Sequence, residues 1–170
     1  MSKQAPTDPL PHLKSIAAAV RAPDQPKVTF QALDAAMKAV IGHKLLTVLI
    51  YHEALQETER FYSNNLDAYP IAGRKQVRPT SWTEQLLICQ NCYIGYNADD
   101  IREFFLDHKL IHSLGCDAIL NVPVVWNGVT LGTCNLMHEE GWYDKGDTEI
   151  AMTIASIAAP AYLHVSGDGS

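Results

Sequence analysis

The chain has 170 residues, 47% of them hydrophobic, and a net charge of −6 from 13 basic and 19 acidic residues. That length suits one domain with short tails, and the apolar content excludes disorder of the whole chain. The acidic balance and the lack of a basic stripe argue against a nucleic-acid partner. No run nears the ~20 apolar residues of a membrane helix, and the start "MSKQAPTDPLPHLK" has no apolar signal core, so a soluble cytoplasmic protein with no membrane partner is expected.

The first nine or so residues read as a Pro-punctuated tail, and "PHLKSIAAAVRA" as a short helix ended by "PDQP". Together they set residues 1–26 apart as a tail and short helix. In "TFQALDAAMKAVIG", Phe30, Leu33, Met37, Val40 and Ile41 recur at helical spacing, with Thr29 as cap and Gly42 as stop. "KLLTVLIYHE" is a buried strand, and "ETERFYSNN" a second, half-exposed one. "LDAYPIAGRKQVRPT" reads as a long irregular loop, a length that is often functional. Ser81 with Glu84 three residues on fits a capping box that opens a short helix over "SWTEQLLICQN". "CYIGYN" is a short strand, and "NADDIREFFLDHKLIHSLG" one helix with acids at its start and Gly115 after its end. A hairpin follows, then a last helix with Ile150, Ile154, Ile157 and Ala161 on one face, Asp147 as its cap and Pro160 weakening its final turn. Residues 166–170, "SGDGS", form a second tail, which leaves 27–165 as the domain.

The hairpin is the most informative stretch. In "CDAILNVPVVWNGVTLGTCNLMH" the pair Asn127-Gly128 fits a type I′ turn, and that turn sets the register. With regular pairing, Trp126 faces Val129, Val124 faces Leu131, Val122 faces Thr133 and Leu120 faces Asn135. Asn121 and Asn135 then point to opposite faces. Both faces are mainly apolar and should be covered. Gly132 leaves room for a close neighbour. The whole order, with helices at both ends of an antiparallel sheet, defines an α+β layered fold.

"LIHSLGCDAILNVPVVWNGVTLGTCNLMH" followed by "GWYDKGDTEIAMTIASIAAPA" resembles the C-terminal half of a GAF domain, and the likeness extends back through "LLTVLIYHE", "RFYSN" and "SWTEQLL". It implies a GAF- or PAS-like fold: a central antiparallel sheet, the N- and C-terminal helices on one face, and short helices and loops over a pocket on the other. It further implies that Thr133, Asn135 and Met137 face the pocket, that a stand-alone sensor or signalling domain of bacterial type binds a small molecule there without turning it over, and that the chain forms a homodimer. The alanines Ala35, Ala36, Ala39, Ala155, Ala158 and Ala159 would let helices of two copies approach closely. Ligand contact would order the loop and shift the outer helices. Asn121 would be satisfied locally beneath those helices.

The candidate ligand residues are Arg74, Trp82, His108, His112, Cys116 and Asn135. Arg74, with Lys75 and Arg78 nearby, could hold an anion by paired hydrogen bonds; Trp82 stands beside the loop, where aromatic residues often line ligand sites. Phe104 and Phe105 are adjacent, so within a helix they cannot both face one way. Cys89-x2-Cys92 and His108-x3-His112 lie at a zinc-like spacing, but the GAF-like order divides them among separate elements, and no metal or cofactor is expected. Free thiols are the default for the four cysteines, Cys89, Cys92, Cys116 and Cys134. The alternative function is a thiol enzyme like the free methionine-R-sulfoxide reductases, with Cys116 reactive. The acidic pair of that family aligns with Asn135 and Met137, and neither supplies a charge. A second alternative is a dimerising module without ligand.

Overall fold

The structure, a computed structural model, describes residue 3 and residues 5–167. Its frame is one six-stranded sheet, built from β1 (Leu45–His52), β2 (Glu57–Ser63), β3 (Arg74–Gln76), β4 (Tyr93–Gly95), β5 (Ala118–Trp126) and β6 (Val129–His138). The order from edge to edge is β3-β2-β1-β6-β5-β4, and every pairing is antiparallel. Four helices lie on one face: α1 (Leu10–Val20), α2 (Lys27–Val40), α6 (Gly146–Ile157) and α7 (Ala159–Gly167). They bury Ile16, Phe30, Leu33, Met37, Ile154 and Tyr162 against Leu46, Val48 and Ile50 of β1, Ala118, Leu120, Val122 and Val124 of β5, and Cys134 and Leu136 of β6. Alternation along each strand thus gives one wholly apolar face to the helices. Three shorter helices cover the other face: α3 (Ser81–Thr83), which runs on as a π-turn over Glu84–Ile88, α4 (Ala98–Phe104) and α5 (His108–Ser113).

The Asn127-Gly128 turn has positive φ at both residues, 51° and 77°, as a type I′ turn requires. Beyond it the register departs from the regular one. Trp126 pairs with Val129 and Val125 with Thr130, but Val124 pairs with Gly132, so Leu131 is an extra residue in β6. This β-bulge turns Leu131 to the helix face and slips every later pair by one. Asn121 therefore lies directly opposite Asn135, and Leu120 opposite Leu136. The two asparagines share the face away from the outer helices, which corrects the opposite-face assignment. Gly132 sits where β1 comes nearest: a Cβ there would lie 2.0 Å from the Leu49 carbonyl oxygen.

Other boundaries move for local reasons. The helix expected over Asn97–Ser113 is two helices, because Phe105 is extended (φ −110°, ψ 114°). The long loop contains β3, whose Arg74, Lys75 and Gln76 pair with Glu59, Thr58 and Glu57. Thr80, not Ser81, caps α3, and it shares a reciprocal capping box with Thr83. Lys145, not Asp147, is the residue that precedes α6; Asp147 instead accepts from the Asp144 amide at 2.9 Å. Pro26, not Thr29, precedes α2, and Thr29 is buried and bonded to Gln25 at 2.6 Å. The final helix breaks at Ala158, two residues before Pro160. Ala36, Ala155, Ala158 and Ala159 are buried in the chain's own core, so they offer no surface for a second copy. Of the tail expected at 166–170, Ser166 and Gly167 belong to α7, and 168–170 lie outside the described residues, as do 1, 2 and 4 of the N-terminal tail. Among the described residues no single helix is long and apolar enough to cross a membrane. The bent pair α6–α7 is long and apolar enough only when taken together, and it is broken by 51°.

Candidate functional site

The face of the sheet away from the outer helices is not packed solid. A cavity of about 520 Å³ lies between it and the covering segments, within the size range of small-molecule sites. Its floor is the set of alternate residues that point away from the outer helices: Arg60 on β2, Thr47 and Leu49 on β1, Thr133, Asn135 and Met137 on β6, and Ile119 and Asn121 on β5. Its walls come from β3 and the stretch after it, from Trp82, Leu86 and Leu87, and from the α4–α5 junction, Phe104 to Asp107.

A polar spine crosses the floor. The Trp82 indole Nε1–H donates to Asn121 Oδ1 at 3.0 Å, and Asn121 Nδ2 donates to Asn135 Oδ1 at 2.6 Å. Asn135 Nδ2 donates in turn to the hydroxyls of Thr133 (3.0 Å) and Thr47 (3.4 Å). Asn121 and Asn135 are 1% and 5% exposed, so each bond offsets a desolvation cost of about 1–3 kcal/mol. The bulge makes this pairing possible. The capping box then fixes the first turn of α3: Thr83 N–H donates to Thr80 Oγ1 at 3.1 Å and Thr80 N–H to Thr83 Oγ1 at 2.8 Å. Trp82 is thereby held within reach of Asn121.

The apolar wall is aromatic. Trp82 meets Phe105 edge-on with ring centres 4.9 Å apart and stacks on Phe104 at 6.5 Å. Both phenylalanines line the cavity, contrary to the expectation for one continuous helix. Phe104 is the last residue of α4 and Phe105 is already extended, so the helical 100° step between them does not apply.

The cations that line the cavity are Arg60, Lys75 and Arg78, and its one lining carboxylate is Asp107. Arg60 Nη1 donates to the Pro70 carbonyl at 3.0 Å, and its guanidinium lies over the Tyr69 ring at 4.9 Å. Arg60 Nε is buried without an acceptor, and no carboxylate among the described residues lies within ion-pairing distance. Burial pulls the Arg60 pKa down, against the fields of Tyr69 and Asp107. The Tyr69 hydroxyl donates to Asp107 Oδ2 at 2.7 Å, and its pKa is raised first by burial and then by that bond.

Of the six residues expected at the site, Trp82 and Asn135 line the cavity. Arg74 does not; Glu59 holds it at 3.0 Å and Glu57 at 3.4 Å. His108 opens α5 half-buried, outside the wall. His112 is exposed, with Nδ1 2.6 Å from Asp117 Oδ1. Cys116 is buried behind the wall with Ile111, Ile119 and Tyr69, where burial pushes its thiol up to about 11. Cys134 packs on the opposite face of the sheet, and Cys92 also packs toward the outer helices with its pKa raised by burial to about 11. The spaced quartet of Cys89, Cys92, His108 and His112 is therefore spread over different elements, and no group of three or more metal-binding side chains is present among the described residues. Arg60, Asn121 and the paired phenylalanines were not expected at the site. Arg60 alternates correctly within "ERFYS", but nothing in the sequence shows that it lacks a partner.

No family model and no curated protein matches this chain. Solved structures do. The GAF domain of a phosphoenolpyruvate-protein phosphotransferase from Coxiella burnetii superposes with TM-score 0.71 at 15% identity, covering 95% of this chain and 96% of that one. The GAF domain of a two-component sensor histidine kinase from Bacillus halodurans gives 0.66 at 11% identity, over 83% and 95%. A phycocyanobilin-bound GAF domain from a cyanobacterial phytochrome gives 0.68 at 12% identity, over 96% of each chain. The chain has the fold of the GAF domains. Domains of that fold occur in sensor kinases and phytochromes, and at these identities the likeness establishes the fold alone.

Proposed function

We propose that this chain is a sensory domain that binds a small organic molecule in the cavity between the sheet and α3–α5, and does not transform it. One observation carries the reading: a space of about 520 Å³ whose floor is a bonded polar spine and whose walls are aromatic. A merely structural face would be filled by side chains, as the helix face is. The phycocyanobilin-bound neighbour supports the reading, since a domain of the same fold there holds a small molecule. The segments that close the cavity are short, so a ligand has parts to order and a route to bias the rest of the chain.

The sulfoxide-reductase alternative needs an ionised thiol at the cavity. Among the described residues no cysteine, histidine or glutamate lines it, and burial raises the thiols of Cys92, Cys116 and Cys134, which favours their protonated forms. Residues 27–165 form the proposed sensory unit, cytoplasmic and homodimeric. A screen of nucleotides, amino acids and aromatic acids by thermal melting tests the reading. A true ligand at 100 times its Kd stabilises by about 2.7 kcal/mol, and Thr133→Trp, which fills the floor, should abolish the shift. Melting that no compound moves, in a protein shown by native mass spectrometry to carry no bound molecule, would count against the reading.

A further inference from the structure

The chain is acidic overall, yet its cavity is lined by three cations and one carboxylate. That carboxylate, Asp107, is already engaged by the Tyr69 hydroxyl at 2.7 Å and lies 3.9 Å from Lys75. Arg60 has a carbonyl and a ring for company but no counter-ion among the described residues, and one of its N–H groups is buried without an acceptor. Arg74 and Arg102, by contrast, hold Glu57, Glu59 and Asp99 at 3.0–3.4 Å. A half-buried guanidinium with no carboxylate in ion-pairing distance, facing a cavity whose one lining carboxylate is already bonded to a hydroxyl, is short of one partner, and that partner is negative.

The other end of the cavity has a matching shortage. The hydroxyls of Thr47 and Thr133 each accept from Asn135, and neither donates to any described group. Two O–H donors therefore remain for a ligand oxygen. Arg60 pairs with Leu49, and Leu49 with Thr133, so Arg60 and Thr133 lie two strand spacings apart, about 10 Å. Between them Leu49 forms an apolar floor, and Trp82, Phe104 and Phe105 supply flat walls. A flat body of one or two rings can lie on that floor.

We propose that the ligand is a small aromatic carboxylate, its carboxylate on Arg60, its ring among Trp82, Phe104 and Phe105, and an oxygen at its far end on Thr47 and Thr133. This rests on the cavity reading above. A single guanidinium fork matches one carboxylate, whereas a phosphate ester would draw its second charge from Lys75 and Arg78 at the rim.

The test titrates benzoate, 4-hydroxybenzoate and 4-hydroxycinnamate into the wild-type chain, each beside its neutral amide, with phenyl phosphate as a further arm. At least one acid should bind, and its amide about 10–100-fold more weakly, the range expected for losing a charged hydrogen bond. In Arg60→Gln the acid should weaken to the level of the amide while the amide is unchanged; Arg60→Lys should restore part of the difference. That ratio, unlike affinity alone, does not respond to a loosened Pro70 loop. The wild-type acid–amide comparison stands even if Arg60→Gln fails to fold. Amides that match their acids, acids that do not bind, or phenyl phosphate binding more tightly than every acid would each overturn the proposal. If the acids fail but a neutral or cationic compound from the screen binds, the sensory reading survives and the ligand class falls. If nothing binds, both fall.

Discussion

The two faces of the sheet are made by the same strands and end up with opposite properties. On β6, Cys134 and Leu136 point into a buried core packed by four helices, while Thr133, Asn135 and Met137 point to a space. The helix face is closed by long amphipathic elements such as α2, which sets Phe30, Leu33, Ala36 and Met37 on one stripe. The cavity face is closed by α3, α4 and α5, none longer than seven residues, whose turns cannot supply enough side chains to fill it. One face thus serves stability. The other gives up packing and keeps hydrogen bonds, and the difference lies both in the alternate residues of the strands and in what covers them.

Substitutions that expose this division should differ in size. Gly132→Ala is the most severe, because its Cβ would meet the Leu49 carbonyl oxygen at 2.0 Å, and a backbone atom cannot step aside. The cost should exceed the ~1–3 kcal/mol of ordinary overpacking and take up most of the roughly 5–15 kcal/mol that holds a domain folded, read as loss of soluble folded protein. On the helix face, Leu33→Ala should cost about 2–5 kcal/mol in denaturant melts, since Leu33 is fully buried among packed neighbours. Leu49→Ala on the cavity face should fall at the low end of that range, because Leu49 lines the cavity floor and is only half-buried. Equal costs would mean that the cavity face is packed in solution. Asn121→Leu strands the Trp82 N–H and one end of Asn135, an expected loss of about 1–3 kcal/mol. Asn121→Leu with Asn135→Leu should cost less than the sum of the two single changes, because both partners of their bond leave together.

The helix face was legible because its signals are local. Apolar spacing in α2, alternation in β1 and the Asn127-Gly128 turn each act within a few residues, and they lead to the same architecture as the GAF-like order of "VPV" and "LGT". The cavity was only half legible. Trp82 and Asn135 follow from position along the chain, but the pairing of Asn121 with Asn135 depends on a bulge at Leu131, and a one-residue insertion in a ladder leaves no trace in alternation. Phe104 and Phe105 share the wall because a helix ends between them, and a stretch with continuous helical spacing hides that end. Arg74, and not Arg60, was the residue expected to hold an anion. What separates them is that Glu57 and Glu59 ion-pair with the first, while no carboxylate among the described residues lies within ion-pairing distance of the second, a matter of pairing across β2 and β3.

The smallest expected effect lies at the seam between the faces. His138, at the end of β6, stacks on Trp142 with ring centres 3.6 Å apart and planes 7° from parallel, and its Nδ1 accepts the Glu139 amide at 2.8 Å. Burial is the largest influence on it and holds its pKa near 4, below the ordinary 6.5; Lys44, Lys38 and His43 push the same way, and Glu139 opposes them. The neutral ring is the one the fold accepts. The unfolded chain therefore takes up this proton first, and the contribution of His138 to stability is complete above pH 6.5 and declines as the pH falls toward about 4. His138 is partly exposed, so solvent screens much of the effect and the decline should be shallow. Replacing it with Phe keeps the stack on Trp142 and removes the titration. Melting temperature measured from pH 7.5 down to pH 4 should fall less steeply in His138→Phe than in the wild type across that window, while parallel curves would show that the ring is as free to take a proton in the folded chain as in the unfolded one.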